Sequence, residues 1–388
     1  MKKTAIIYHY LAHYRLPIFQ ELMKSEVVEY TIFSGKDSEI EIKKVEESVA
    51  GKDIDAGGLR WFFLKNKWLF NKRFLWQSGL INEVLKNQFD AYIFLGSPYH
   101  ISTWLAVIIV RFKNKKAYFW MHGIYKDKLK FIDYIKLLIF YKMVNGYFLY
   151  GNRAARILKK YNNKSTRSIN VIYNSLDYKR SLNLRISKIN TNKTYNFRET
   201  YFKSVNLPTV CFIGRINSIK RIDLLIEAQK IVFEKYNNSF FNIVIIGEGE
   251  EKIKLSSLAE SYNLSNNIHF TGAIYDEKKI ADILSYSDIC ITPGEVGLTA
   301  IHAMSYGTPV ISHNELNVQM PEIEAIKQGI SGDLFEYGSV NDLVEKIVDW
   351  FNLYPIKTQL VSDNCMGIID NYYNPNYQLK IFDTVLNK

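Results

Sequence analysis

The chain has 388 residues, of which 47% are hydrophobic and 23% are charged. This length predicts about two domains, and the composition excludes a short peptide, a fibrous chain and an intrinsically disordered one. The net charge of +11 is unevenly divided: residues 1–200 carry 35 Lys and Arg against 16 Asp and Glu, whereas the remaining 188 residues carry 15 against 23. The basic half is expected to meet an anionic partner, although drift in a lysine- and asparagine-rich composition would give the same count.

The cysteine content and the hydropathy of the sequence indicate where in the cell the protein is expected. Three widely spaced cysteines, at positions 211, 290 and 365, exclude a disulfide framework and a zinc cluster. The apolar start of the chain leads at once into the polar run His9–Arg15, so no signal peptide is expected. The longest uncharged stretch, Ala91 to Val110, is broken by glycine, proline and serine, and no membrane-spanning helix is expected there. We predict a cytoplasmic protein.

The first half of the chain alternates short apolar runs with longer helical patterns. Runs of this kind are typical of buried strands. The predicted strands are Thr4–Tyr8, Glu29–Phe33, Ala91–Leu95, Ala117–Met121, Gly146–Tyr150 and Ser168–Tyr173.

Aromatic and basic residues are interleaved between Arg60 and Trp76, and again over residues 111–116 and 126–142. Such segments suit a membrane interface, where rings lie at headgroup level and cations meet anionic lipid. Nucleic acid would use the same chemistry, and core packing with solvated lysines is the third interpretation. The residues predicted to contact a membrane are Trp61, Lys65, Lys67, Trp68, Lys72 and Arg73.

A polar segment, Tyr178–Leu207, separates the two halves and ends at Pro208. We therefore predict an N-terminal domain over residues 1–185, a linker over 186–207 and a C-terminal domain over 208–370. The last residues, 371–388, carry a helix-like apolar stripe and are expected to pack back on the first domain.

The second half repeats the alternation of strand and helix. Its predicted strands are Thr209–Ile213, Asn242–Ile246, Ile268–Phe270, Ile289–Thr292 and Val310–Ser312, and its predicted helices are Ile222–Glu234, Lys252–Tyr262, Lys278–Tyr286, Thr299–Tyr306 and Val340–Trp350. Repeated strand–helix–strand units predict parallel sheets with crossover helices. The fold class is therefore α/β, with two doubly wound, Rossmann-like domains.

Two loops of the second half carry the strongest chemical signals. Gly214 follows a predicted strand, and Arg215 and Lys220 flank the loop that it opens. A planar guanidinium and a point-charge ammonium together suit a diphosphate, although a solvated turn with incidental cations is the alternative. The second loop, 293–297, leads into a short helix whose unpaired amides around Gly297, Leu298 and Thr299 can receive phosphate oxygens.

The order of these motifs resembles the retaining glycosyltransferases of family 4. The resemblance depends on the Gly-Arg and Lys of the first loop, Ile245–Gly249, Phe270–Gly272 and the segment from Gly297 to Ile311, and it includes Val171–Asp177 at the end of the first domain. It covers roughly residues 168–350 and is much thinner from 1 to 167. It implies the GT-B fold, in which two Rossmann-like domains face each other across a cleft.

The resemblance also implies roles for individual residues. Arg215 and Lys220 would bind the diphosphate of a nucleotide-sugar donor and stabilise the charge on the leaving nucleotide. His122, just after a predicted strand, matches a first-domain histidine that reaches the donor sugar, and His13 and Arg15 are placed on the acceptor side. The remaining donor-binding residues are Gly214, Gly247, Ala273, Ile274 (the last two facing the base), Gly297, Leu298, Thr299 and His302.

The chain departs from the family pattern at a pair of glutamates eight residues apart. Those positions are Gly294 and His302 here, and Glu295 is one residue late for the first role, which is contact with donor-sugar hydroxyls. An imidazole at 302 can still donate to or accept from ribose hydroxyls.

The predicted function is a metal-independent, retaining, hexosyltransferase-like enzyme without a cofactor. Its substrates would be a nucleotide-diphosphate sugar and a glycan or lipid-diphosphate-linked acceptor of cell-surface polysaccharide synthesis, such as capsule or lipopolysaccharide. The protein would be peripheral at the anionic inner face of the cell membrane. Two rivals remain: a nucleotide-sugar epimerase or hydrolase of the same fold, and a basic nucleic-acid-binding protein. The loop motifs lie in the acidic half, which argues against the latter, and no nucleic acid is expected.

Overall fold

The computed structural model describes residues 1–38, 42–124, 131–161, 166–191, 197–236 and 240–388. The chain divides into two compact units: unit 1 comprises Met1–Leu176 with Asn374–Lys388, and unit 2 comprises Asp177–Tyr373. Each unit has its own parallel sheet, so the predicted pair of Rossmann-like α/β domains is confirmed.

Unit 1 contains a seven-stranded parallel sheet and a separate antiparallel hairpin. The sheet has the order β3-β2-β1-β6-β7-β8-β9, and the hairpin pairs β4 with β5. The strands are β1 (Lys2–Tyr8), β2 (Val28–Ser34), β3 (Trp61–Phe63), β4 (Lys65–Leu69), β5 (Phe74–Ser78), β6 (Ala91–Leu95), β7 (Lys116–Met121), β8 (Gly146–Leu149) and β9 (Ser168–Val171).

Helices cover the faces of this sheet. The helices of unit 1 are α1 (Leu16–Met23), α2 (Leu80–Lys86), α3 (Ile101–Phe112), α4 (Phe131–Lys142), α5 (Asn152–Tyr161) and, after unit 2, α14 (Pro375–Leu386).

The alternation of side chains along β1 divides the core of unit 1 into two layers. Ala5 and Ile7 belong to the layer under α3, and Ile6 and Tyr8 belong to the layer under α1 and α14. The second layer includes Phe382 of α14, whose ring lies 4.3 Å from that of Phe148. The last helix is therefore part of the hydrophobic core of unit 1.

Unit 2 contains a six-stranded parallel sheet with the order β12-β11-β10-β13-β14-β15. Its strands are β10 (Thr209–Ile213), β11 (Asn242–Ile246), β12 (Ile268–Gly272), β13 (Ile289–Thr292), β14 (Val310–His313) and β15 (Gly332–Phe335). Its helices are α6 (Tyr178–Thr191), α7 (Phe197–Tyr201), α8 (Ile222–Tyr236), α9 (Lys252–Ser261), α10 (Glu277–Tyr286), α11 (Leu298–Ser305), α12 (Val340–Leu353) and α13 (Gln359–Tyr372). Every residue of β11 is buried, as expected for a strand covered on both faces.

The structure corrects the predicted linker. Helices α6 and α7 occupy most of residues 178–201, and the chain enters unit 2 at Asp177 rather than after residue 207. Arg185 of α6 donates to the backbone oxygen of Ser305 and forms an ion pair with Asp370 at 2.8 Å, so this segment packs within unit 2. Residues 192–196 of the predicted linker lie outside the described residues.

Candidate functional site

Each sheet reverses its strand order at one point, and in open parallel sheets ligands bind where the loops diverge there. In unit 2 this switch point lies between β10 and β13. The loops that leave these two strands are residues 214–220, here called the cation loop, and residues 293–297, here called the glycine loop. These are the two segments that the sequence singled out.

The cation loop and the glycine loop are in direct contact. The Nζ of Lys220 donates to the backbone oxygen of Glu295 at 2.5 Å, and Gly294 N–H donates to the backbone oxygen of Lys220 at 3.0 Å. The ammonium also lies 3.9 Å from where a side chain would begin at Gly297, the N-cap of α11. A cation thus stands beside the positive end of a helix, an arrangement that attracts an anion.

Burial is the largest influence on Lys220 and lowers its pKa. The carboxylates of Glu295 and Glu322 act in the opposite direction and favour the charged ammonium. Lys220 is therefore a partly desolvated cation, whose attraction for a phosphate is stronger than that of a surface lysine.

The backbone leaves no room for a side chain at position 294. A Cβ at Gly294 would lie 1.9 Å from the backbone oxygen of Ile219. Any side chain would therefore force the two loops apart. Gly297 has φ 50° and ψ −150°, a conformation that also requires glycine.

The other predicted donor-binding residues lie on the same carboxyl edge of the sheet. Thr299 Oγ1 donates to the backbone oxygen of Ile213 at 2.8 Å, which fixes α11 to the end of β10. Gly214 N–H donates to Ile246, and Gly247 N–H donates to Gly272, each at 3.0 Å. Leu298 is the first residue of α11, and Ala273 and Ile274 follow β12.

Arg215 is exposed, and among the described residues it forms no ion pair with a carboxylate. Its guanidinium is thus available to a ligand, unlike that of Arg221, which forms an ion pair with Asp223 at 2.9 Å.

His302 has a partner that the sequence did not indicate. Its Nε2 lies 2.8 Å from Oε1 of Glu277, the first residue of α10, and the Tyr306 hydroxyl donates to the same oxygen at 2.6 Å. Burial acts to raise the pKa of Glu277, but the hydrogen bonds from His302 and Tyr306 outweigh it and the pKa is lowered. A carboxylate thus stands next to position 302, although it comes from another helix.

In unit 1 the switch point lies between β1 and β6. A pocket of about 400 Å³ opens there, and both Arg15 and His122 line it. Burial, together with the charge of Arg15, lowers the pKa of His122 to about 4. His13 is exposed and is not among the described residues that line the pocket, so the structure brings together His122 and Arg15 but not His13.

The predicted membrane segment is a strand and a hairpin. Trp61 lies in β3, is only 6% exposed and donates its Nε1 to Ser34 Oγ at 2.9 Å, so its assignment as a membrane contact was wrong. Trp68 is partly buried, whereas the cations are exposed on the hairpin: Lys65, Lys67, Lys72 and Arg73. Residues 125–130 of the second basic segment lie outside the described residues.

Two features are absent from the described residues. These residues contain no helix long and apolar enough to cross a bilayer. They also contain no group of three or more His, Cys, Asp or Glu side chains placed to hold a metal ion.

The second half of the chain is similar to known protein sequences. A family model described as Glycosyl transferases group 1 matches residues 194–363. Poly(ribitol-phosphate) alpha-N-acetylglucosaminyltransferase of Staphylococcus aureus is 30% identical over 161 residues, which are 41% of this chain and 31% of that protein. The chain spans about a third to a half of the length of the first curated relatives that it matches.

Solved structures extend the likeness to the whole fold. Alr3699/HepE of Anabaena, solved in complex with UDP, superposes with a TM-score of 0.70 at 13% identity, and each chain is 99% covered. The lipopolysaccharide outer core galactosyltransferase WaaB superposes with a TM-score of 0.69 at 15% identity, again with 99% of both chains covered. Residues 194–363 therefore match the model of the Glycosyl transferases group 1 family, and the chain as a whole shares the two-domain α/β fold of these solved structures.

Proposed function

We propose that this protein is a glycosyltransferase that moves a sugar from a nucleoside-diphosphate sugar to a glycan or lipid-linked acceptor of cell-surface polysaccharide synthesis. The observation that carries the proposal is the position of Lys220, beside Gly297 at the N-terminus of α11 and at the switch point of the sheet. Similar proteins support the choice of ligand, since the Anabaena neighbour was solved with UDP and with UDP-glucose.

In this proposal unit 2 binds the donor. The diphosphate would lie between Lys220, Arg215 and the backbone amides of residues 297–299, which supply charge and hydrogen bonds to the same oxygens. Ala273 and Ile274 would face the base. Glu295 would contact donor-sugar hydroxyls, and the ribose would meet the His302–Glu277 pair.

The proposed reaction retains the anomeric configuration. The acceptor hydroxyl attacks the anomeric carbon from the face that the nucleotide leaves, the bond from that carbon to the phosphate oxygen breaks, and the departing phosphate takes the acceptor proton. Lys220 and Arg215 would stabilise the negative charge that grows on this phosphate, which is the electrostatic task a divalent cation performs in other enzymes. His122 would contact the donor sugar from unit 1.

We also propose that unit 1 lies against an anionic membrane, as a lipid-linked acceptor would require. The exposed face of α3 is apolar at Ile101, Leu105, Ile108 and Phe112, and the last of these is 90% exposed. The apolar surface continues on one side through Tyr99 and Phe74 to Phe70 at the tip of the hairpin. Exposed apolar residues also occur at Phe131, Ile135 and Ile139 of α4, a helix that contacts α3 through the rings of Phe140 and Trp104. We name this surface the apolar face.

The positive charge of the surrounding sequence favours an anionic lipid surface as the partner of the apolar face. Residues 65–160 hold 18 Lys and Arg against four Asp and Glu. An excess of cations around exposed aliphatic and aromatic side chains is complementary to anionic headgroups above an acyl layer.

Product analysis tests the proposed transferase activity. Purified protein with a panel of nucleoside-diphosphate sugars and an acceptor glycan should release nucleoside diphosphate together with a product that keeps the anomeric configuration of the donor, and a chelator should not change the rate. Lys220→Ala should lower the rate by roughly 10²-fold or more, the scale of one lost charge contact in the transition state. Lys230→Ala is the matched control, because Lys230 lies on the following helix, where it forms an ion pair with Glu234 at 3.7 Å and lies over the ring of Tyr262.

Three results would contradict this proposal. Wild-type turnover in Lys220→Ala would reject the assignment of the donor site to unit 2. An inverted product would reject the retaining mechanism. Release of free sugar or of an epimerised nucleotide sugar without acceptor would point to the hydrolase or epimerase alternative.

A further inference from the structure

The pocket of unit 1 has an unusual composition. It lies where the loops after β1, β6 and β7 meet. Aromatic side chains form much of its wall, and no carboxylate lines it among the described residues. The side chains that bear on its chemistry are Tyr8, His9, Tyr10, Tyr14, Arg15 and His122.

Arg15 supplies a buried positive charge to this pocket. The residue is 5% exposed, and its Cζ lies 5.1 Å from the ring of Tyr150 and 5.4 Å from the ring of Tyr14. The rings of Tyr8 and Trp120 lie at 5.6 and 5.7 Å. Across the described part of the chain, no Asp or Glu lies within 4 Å of the guanidinium to form an ion pair. Buried charges are normally paired, because an unpaired one is costly.

The imidazoles near Arg15 do not compete with it for an anion. Burial lowers the pKa of His122 to about 4 and that of His9 well below its usual range. Both rings are therefore neutral at neutral pH, and Arg15 is the formal charge that the described residues bring to the pocket. Nδ1 of His9 is also buried without a hydrogen-bond partner, so the pocket holds an unused polar atom besides the cation.

We propose that Arg15 binds a phosphate group carried by the acceptor substrate. The planar guanidinium can make two parallel hydrogen bonds to phosphate oxygens, and the low-dielectric surroundings strengthen that attraction. The tyrosine rings then offer flat surfaces for the sugar or polyol next to the phosphate. A neutral acceptor would leave the buried charge without an anionic partner. This inference rests on the proposed function, because it names the chemistry of the substrate that unit 1 receives.

Histidine resonances provide a local test of the inference. Protein labelled with ¹³C-histidine is titrated with glycerol 1-phosphate, with glycerol as the neutral probe and with UDP as the donor-site probe. Glycerol 1-phosphate should shift the resonances of His9 and His122 saturably and raise the pKa of His122, because the bound anion favours the imidazolium form. Glycerol should not, and UDP should instead shift His302.

Substitutions then assign the effect to Arg15. Arg15→Gln should weaken binding of glycerol 1-phosphate at least tenfold and leave binding of UDP unchanged. Arg60→Gln is the matched control, since Arg60 belongs to unit 1, lines a different pocket and donates to the backbone oxygen of Tyr30 at 2.9 Å. Binding of glycerol 1-phosphate should be unaffected by that change.

Several outcomes would overturn the inference. It fails if glycerol 1-phosphate leaves His9 and His122 unmoved, or moves them equally in a stably folded Arg15→Gln variant. If UDP shifts these two histidines and displaces glycerol 1-phosphate, the phosphate belongs to the donor and the acceptor assignment is wrong. If Arg15→Gln melts far below wild type, Arg15→Lys decides: binding within about tenfold of wild type supports the inference, and loss of binding in the folded Lys variant rejects it. Release of nucleoside diphosphate from a donor sugar is measured separately, so the proposed function can stand where this inference fails.

Discussion

Position 302 combines two polar groups that come from different helices. The imidazole of His302 on α11 lies 2.8 Å from the carboxylate of Glu277 on α10. Glu277 is also held by the hydroxyl of Tyr306, so its orientation is fixed from two sides. The pair can offer a ribose hydroxyl both an acceptor oxygen and an imidazole nitrogen.

We expect His302→Ala to weaken binding of the nucleoside diphosphate by about 0.5–1.5 kcal/mol, the net value of one neutral hydrogen bond. Part of that loss would arise because Glu277 is then oriented by Tyr306 alone. His302→Gln, which can still donate to Glu277, should retain most of the affinity. Calorimetric titration measures the effect, with melting curves to check the fold.

The control for this prediction is His269→Ala. His269 lies on β12 of the same unit, and its ring stacks on Tyr201 with centroids 4.5 Å apart. Unchanged nucleotide affinity in His302→Ala would remove His302 from the site, and equal losses in both variants would indicate a general effect on unit 2.

Among the structural elements, two loops and one helix form the proposed donor site. The cation loop, the glycine loop and the start of α11 fit together through backbone contacts at Gly294, which leave no room for a Cβ. The position of Lys220 beside α11 therefore depends on Gly294, a residue that has no side chain with which to contact a ligand.

Gly294→Ala should lower both the stability of unit 2 and the rate of sugar transfer. A methyl group 1.9 Å from the backbone oxygen of Ile219 must separate the two loops, which would displace Lys220 from Gly297. We expect a loss of stability above about 1 kcal/mol and a fall in rate larger than that loss explains. Thermal unfolding and steady-state turnover are the measurements.

A helical glycine provides the matched substitution. Gly367 lies within α13, and a Cβ there would meet no atom within 4 Å. Gly367→Ala should therefore stabilise the protein by about 0.4–1 kcal/mol and leave turnover unchanged. A Gly294→Ala variant that behaves like Gly367→Ala would show that the close contact between the loops has no functional weight.

The sequence predicted the central strands of both sheets but missed peripheral ones. Runs such as Asn242–Ile246 are apolar after the first residue because helices cover both faces, and that pattern is unambiguous. Residues 61–78 instead read as an interface segment, because in β3 and β4 exposed aromatic and basic residues lie next to buried ones, and the aromatic residues of β5 are only partly buried. β15 also went unpredicted. It is a four-residue edge strand whose middle residues are only partly buried.

The sequence predicted the loops of the candidate site but not the partners that residues of the site find elsewhere in the same chain. Gly214, Lys220 and Gly297 stand in recognisable motifs, so their position could be predicted. Glu277 could not, because its hydrogen bond to His302 joins residues 25 apart and depends on how α10 packs on α11. The linker was misplaced because lysine- and asparagine-rich helices such as α6 have the composition of loops.

At the scale of the whole molecule, the uneven charge has a structural counterpart. The basic half of the sequence builds most of unit 1, and the apolar face lies on that unit. Contact between the rings of Trp104 and Phe140, 4.8 Å apart, joins α3 to α4 beneath this face. The two helices that carry the exposed side chains are thus in contact, and they present those side chains together rather than singly, as a bilayer contact requires.

The membrane proposal predicts vesicle binding that depends on both charge and apolar contact. Wild-type protein should bind vesicles more strongly as the anionic lipid fraction rises and less strongly as salt rises, because exposed charges are screened beyond about 8 Å at physiological ionic strength. Replacing Ile108 and Phe112 together by serine should weaken binding at least tenfold, because each buried apolar side chain contributes about 1.5–3 kcal/mol. Replacing Lys65, Lys67, Lys72 and Arg73 by serine should chiefly remove the dependence on salt. Flotation of vesicles through a sucrose gradient measures all of these.

The control is a pair of equally exposed apolar residues on the acidic unit. Ile253 and Ile356 are exposed on unit 2, and replacing both by serine should leave vesicle binding unchanged. Equal binding to neutral vesicles would reject the electrostatic part of the proposal. If the wild type ignores vesicles but forms a concentration-dependent dimer that the Ile108 and Phe112 double variant abolishes, then a second copy of the chain, rather than lipid, covers the apolar face. In that case the acceptor need not be membrane-bound, and the phosphate proposed to bind Arg15 would have to reach unit 1 on a water-soluble substrate.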